Sequence, residues 1–281
     1  MDLLPKLPLA DWIDSFVDWL KNAEWFFSAV TGAIRFLVDV NEFLLSLLPS
    51  WLFILLLTVV AYFVTKRKWG LAVFVFLGLL LIDNLGFWQD MLLTLSLVLT
   101  SAMISVIFGI PLGIWMAKNK VIDSIFKPIL DFMQTMPAFV YLIPAVVFFG
   151  IGMVPGVVAS VIFAMPPTVR LTNLGIRQVS TELVEAADAF GSTPAQKLFK
   201  VQLPMAKTTI MAGVNQSIML ALSMVVIASM IGAMGLGTKV YYAVGRNDAG
   251  GGFEAGIAIV ILAIILDRLT QSFNRQKGTT H

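Results

Sequence analysis

The sequence predicts an all-α membrane protein, with about seven transmembrane helices preceded by amphipathic ones. Three observations carry this. Hydrophobic residues make up 58% of the 281 and charged ones only 13%, with a mean hydropathy of +0.89, far from a soluble globular chain. No charge occurs between Asp131 and Arg170, a stretch too long for one helix. The apolar residues of 1–50, in contrast, are periodic rather than contiguous.

Taken in order, the N-terminus carries Asp2 rather than a basic start and does not read as a signal peptide. In DWIDSFVDWL, Asp11, Asp14 and Asp18 fall on one helical face, with Trp12, Phe16, Trp19 and Leu20 opposite. From Glu24 onward, Ser28, Thr31, Arg35, Asp39, Glu42 and Ser46 form a polar stripe on a second helix. Residues 1–50 are therefore expected to lie in the outer membrane interface. The alternative is a helical hairpin packed on the rest of the chain. Residues 51–90 hold two accessory spans, Trp51 to Val64, closed by Lys66, Arg67 and Lys68, and Trp69 to Ile82.

A third span, Met91 to Ala117, ends at Lys118, Asn119 and Lys120. The turn GIGMVPG at 150–156 divides the uncharged stretch into a fourth span, Phe132 to Phe149, and a fifth, Pro155 to Val169. The sixth runs from Thr208 to Met230 and the seventh from Glu254 to Leu266, leaving 271–281 as a tail. Pro128, Pro137, Pro144, Pro166 and Pro167 are candidate kinks. With the N-terminus outside and the C-terminus inside, fourteen of the nineteen lysines and arginines, including Arg275 and Lys277, face the cytoplasm.

Composition removes several function classes. The absence of cysteine excludes disulfides, thiolate nucleophiles and cysteine metal sites. His281 ends the chain and reads as a tail rather than a metal ligand. A net charge of +2 with no basic block gives no reason to expect nucleic acid as a partner. No phosphate-binding loop is present, since Gly237 is followed by Thr238 and Lys239 in the reverse of the required order, within an expected outer turn. Span centres hold no carboxylate, because Asp83, Asp131, Glu254 and Asp267 sit near ends. The chain is thus expected to be neither an enzyme nor self-powered, and to hold no cofactor of its own.

One cytoplasmic segment stands apart, EAADAFGSTPAQKLFKVQLP from Glu185 to Pro204. Ser180 is placed to cap a helix that stops at Gly191. Thr193, Pro194 and Gln196 then supply the cap, first-turn proline and glutamine of a capping box for a second helix, expected to end at Pro204. Leu183, Val184, Phe190, Leu198 and Phe199 have too little local core to bury them all. The segment either folds back on the bundle or docks on a partner.

Its spacing, Glu185-Ala186-Ala187, then Gly191, then Val201-Gln202-Leu203-Pro204, is similar to the EAA loop of ABC importer permeases, with Val201 in place of isoleucine. The stretches 129–170 and 215–237 extend the resemblance to permeases of the glycine betaine/proline type. The resemblance implies a five-helix importer-permease core within 91–270, with the coupling segment at 176–207, in a multi-pass protein of the bacterial cell membrane. It also implies two ATPase subunits that bind ATP, an extracytoplasmic binding protein and a second permease copy. In such a complex Glu185, Ala186, Ala187, Gly191, Val201, Leu203 and Pro204 would couple the ATPase to the pathway.

Polar residues at membrane depth, Gln134, Thr135, Tyr141, Asn215, Gln216, Ser217 and Ser223, are candidates for the solute path, Gln216 and Ser223 sharing a helix face. The alternative is that they hydrogen-bond helices together. Another small solute, such as choline, carnitine or histidine, and a self-sufficient secondary transporter stay open as other functions.

Overall fold

The computed structural model describes residues 8–65 and 69–275. Lys66, Arg67, Lys68, Lys277 and His281 lie outside the described residues. Helix follows helix: α1 Leu9–Lys21, α2 Glu24–Ser46, α3 Ser50–Val64, α4 Trp69–Asn84, α5 Trp88–Lys118, α6 Lys120–Thr135, α7 Leu142–Phe149, α8 Met153–Arg177, α9 Thr181–Ala189, α10 Pro194–Lys197, α11 Leu203–Ser229, α12 Leu236–Arg246 and α13 Ala249–Arg275.

The centre of the bundle is α8, which packs against α5 on one side and α11 on the other. The pairing is a matter of small residues. With an ideal Cβ, Gly109 would come within 3.0 Å of Thr168, and Gly113 within 2.6 Å of the Val169 carbonyl oxygen. Nothing larger than hydrogen fits at Gly113. Gly109 meets Thr168 and Gly113 meets Thr172 as well, an advance of four residues on both helices, so α5 and α8 run parallel. Close backbone approach of this kind is how helices gain packing where lipid supplies no hydrophobic drive. Against α11 the register runs the other way, Gly175 meeting Ala206 and Gly156 meeting Ala228, so that pair is antiparallel.

Four helices are long and apolar enough to cross a membrane: α5, α8, the continuous stretch Pro194–Ser229, and α13 to Ser272. Two bent pairs raise the number to six, α2 with α3 at 93° and α6 with the 138–149 stretch at 108°, and α4 is a shorter apolar helix. The expected seven is thus four to six by length and composition among the described residues. In α1 no residue is buried, whereas α2 inserts Ile34 and Val38 into the core and is tied to α5. The Ser96 hydroxyl donates to the Val38 carbonyl at 2.8 Å, and the Asn41 amide donates to the Thr100 hydroxyl at 2.9 Å.

Three expected elements differ. The fourth span is not continuous: α6 stops at Thr135, Met136 and Pro137 are extended, and a 3-10 turn at Ala138–Tyr141 leads into α7. Of the five candidate kinks only Pro137 marks a break, since Pro128, Pro166 and Pro167 lie inside continuous helices and Pro144 sits in the first turn of α7. The turn expected after Met230 contains helix α12, seated where Leu236 N–H donates to the Thr94 hydroxyl at 2.9 Å and Lys239 pairs with Asp90 at 3.3 Å. The helix starting at Pro194 does not end at Pro204; it passes through a π turn, Leu198–Gln202, into α11. At the end of that turn Leu203 N–H donates to the Leu198 carbonyl five residues back, the widened spacing of a π turn.

Candidate functional site

The segment between α8 and α11 projects from one end of the bundle. Its first corner is built by local bonds. After α9, Gly191 takes φ +74°, its N–H donates to the Asp188 carbonyl at 2.9 Å, and Ser192 N–H reaches back to the Ala187 carbonyl at 3.0 Å. This double closure is the Schellman arrangement, and it needs a residue without a Cβ at the left-handed position. Ser180 occupies the N-cap of α9 without donating or accepting a side-chain cap bond. The capping box at Thr193 and Gln196 is present in both directions, at 3.2 and 2.9 Å. Lys197 clasps Asp188 across the corner at 2.7 Å, joining the two short helices.

Of the coupling candidates, Glu185, Ala186, Gly191 and Pro204 are exposed, Ala187 is buried, and Val201 and Leu203 are half-buried. Leu198 turns inward onto Ile176, Ala206 and Ile210. Phe190 is 89% exposed and Phe199 66%, with Leu183 beside them in the open. The corner thus holds an apolar face, Leu183, Phe190 and Phe199, that the chain's own core does not cover, while the buried Leu198 fixes its base.

The path candidates separate into two groups. Asn215 points at α13, its amide donating to Asp267 at 2.9 Å and its carbonyl accepting from the Thr270 hydroxyl. Gln271 donates to the same Asp267 oxygen at 2.7 Å. Ser217 is fully buried against α8, donating to the Ala164 carbonyl and so accepting from Thr168 at 2.7 Å. Tyr141 is buried, its hydroxyl donating to the Met133 carbonyl. Gln216 and Ser223 instead face outward on one side of α11, Thr135 is exposed at the end of α6, and Gln134 is half-buried beside it. The structure therefore brings Asn215, Ser217 and Tyr141 into contacts within the chain and leaves Gln216, Ser223 and Thr135 on open faces.

One cluster escaped sequence reading. In the first turn of α6, Asp123 is only 7% exposed and accepts from the Asn173 amide at 2.7 Å. Its second oxygen pairs with Arg177 at 3.1 Å and Lys127 at 3.5 Å. Arg177 also donates to the Met116 carbonyl at 3.0 Å, and further along Arg170 meets Asp131 at 2.6 Å. The signal existed: Asp123 and Asp131 lie two turns apart on α6, as Arg170 and Arg177 do on α8.

Residues 109–278 match the family model of the binding-protein-dependent transport system inner membrane component. The chain is 71% identical, over 98% of its own length and 99% of the relative's, to the glycine betaine/carnitine transport permease protein GbuB of Listeria monocytogenes serotype 1/2a. It is 47% identical, over 96% of its length and 76% of the relative's, to the glycine betaine/proline betaine transport system permease protein ProW of Escherichia coli K12. Inward-facing structures of the MetNI methionine ABC transporter share the fold, with a TM-score of 0.60 at 21% identity, covering 65% of this chain and 92% of that one. The relatives are transport permeases, in keeping with the expectation that this chain is not an enzyme. This chain, a multi-pass all-α membrane protein, belongs to the binding-protein-dependent transport system inner membrane components.

Proposed function

We propose that this chain is the permease subunit of an ATP-driven importer for glycine betaine and related quaternary ammonium zwitterions. The projecting segment is cytoplasmic, the N-terminus is outside, and 1–50 lies at the outer face with the acidic side of α1 toward water. Two copies form the pathway, an extracytoplasmic binding protein delivers the solute, and two ATPase subunits each receive one Glu185–Pro204 segment. The observation that carries this reading is Phe190, presented at a corner whose every backbone bond is made locally. Such a corner moves as a unit when its partner moves. Glu185 and Ala186 lie exposed on α9 about one turn before the ring, while Val201, Leu203 and Pro204 carry the displacement through the π turn into α11.

Gln216 and Ser223 line the path from α11, with Gln134 and Thr135 at the end of α6. In this reading Asn215, Ser217 and Tyr141 set the shape of the wall that those residues share. The experiment is uptake of labelled glycine betaine into vesicles holding the permease, its ATPase and its binding protein, with and without internal ATP. Uptake that needs both ATP and the ATPase is expected; uptake with the ATPase omitted would overturn the reading. A second solute, carnitine, is favoured by the name of the Listeria relative, and competition by carnitine in the same vesicles decides it.

A further inference from the structure

We propose that α6 is a lever that ties the ATPase-coupling segment to the pathway wall, held at its base by Asp123 and at its tip by Tyr141. The inference rests on the coupling role assigned above. It starts from how weakly α6 is otherwise attached: only Asp123 and Leu130 of its sixteen residues are buried. Val121, Ile125, Ile129 and Phe132 form an apolar stripe that faces outward. Where α5 and α8 share a packed seam along their length, α6 is held to both at one apolar cluster, where Ile122, Phe126, Leu130 and Met133 meet Met116 of α5 and Val169 of α8, and to α8 by two ion pairs.

The base is the stronger point. Arg177 is in the last turn of α8, three residues before the cap of α9, so any shift of the coupling segment acts on it first. Asp123 is bound there by a guanidinium, an amide and an ammonium group, and the Met116 carbonyl at the end of α5 holds Arg177 from the other side. A buried carboxylate with this set of donors cannot slide off without leaving charges unpaired. The base of α6 therefore follows Arg177.

The tip is a hinge. Pro137 has no N–H, so the Met133 carbonyl loses the donor that a continuing helix would supply. Tyr141 replaces that donor with its hydroxyl, while its ring is buried with Ala159 of α8 and Met224 of α11. The chain turns by 108° at the break while the Met133 carbonyl keeps a donor. Met224 adjoins Ser223, a residue of the proposed path, so motion of the α6 tip arrives at the pathway wall.

Asp123 and Tyr141 are accordingly positioning residues. In the reconstituted complex, Asp123→Asn should raise the ATP hydrolysed per glycine betaine imported by about three- to tenfold and Tyr141→Phe by about twofold. The double variant should match Asp123→Asn alone, because both sit on one lever. Wild-type ratios in both single variants, or multiplied effects in the double, would overturn the proposal, and Tyr141→Phe carries the test should Asp123→Asn fail to assemble. A readout that a merely structural role would not move is available because the chain has no cysteine. Spin labels at Ile129→Cys and Glu182→Cys should keep one separation with and without bound ATP, and lose that constancy with Asp123→Asn. A separation that changes with ATP in the otherwise native chain would refute the rigid link. A wild-type complex that imports betaine without ATP would instead refute the function on which the lever rests.

Discussion

The chain turns sharply at Gly191 and at Pro137, and the two corners are made in opposite ways. At Gly191 every bond that closes the turn lies between Ala187 and Lys197, and Phe190 and Phe199 nearby point outward. At Pro137 the turn removes a bond, and the replacement comes from Tyr141, whose ring is fixed by α8 and α11. The first corner is complete before anything packs on it. The second exists only in the assembled bundle. A segment that must be moved by a partner gains from the first design, since it keeps its shape while its surroundings change, whereas a wall that must respond gains from the second.

Four substitutions break or sharpen this contrast. The largest effect is expected for Gly191→Val. A Cβ in the left-handed region costs about 1–2 kcal/mol, and with a branched side chain the corner opens, so ATP-dependent uptake should fall more than about tenfold while the bundle stays folded. Normal uptake in that variant would show that the corner's shape does not matter. Thr193→Ala removes one half of the capping box and should destabilise the second short helix by about 1 kcal/mol, read as faster amide exchange confined to residues 193–202.

Pro137→Ala should be milder for stability, at about 0.4–1 kcal/mol through the freer unfolded chain. It also returns an N–H to the Met133 carbonyl, so Tyr141→Phe should cost less in that background than in the native one. Phe190→Ala should change the stability of the isolated permease least, by under about 0.5 kcal/mol, because the ring is exposed. Its effect should appear in ATPase binding alone; an unstable isolated permease would mean the ring packs on its own chain.

The path candidates carry the same lesson. Asn215 and Gln216 are adjacent and alike in polarity, and nothing in composition separates them. A helix turns 100° per residue, so one faces Asp267 of α13 and the other an open side of α11. Asn215→Ala should therefore lower stability by about 1–3 kcal/mol by stripping a donor from Asp267. Gln216→Ala should reduce uptake without that loss.

By itself the sequence determined what depends on neighbours along the chain: the apolar runs that became α4, α5, α11 and α13, the left-handed glycine, and the capping box. These follow from bonds and periodicities spanning a few residues. Only the tertiary structure decided which of five prolines breaks a helix, whether the residues after Met230 form α12, and which polar side chains face a partner helix. It also decided that Asp123 would meet Arg177, fifty-four positions away. Each of these depends on whether a distant group arrives to satisfy a bond that the local chain leaves open, and in an apolar surround an unsatisfied group costs too much for the choice to be neutral.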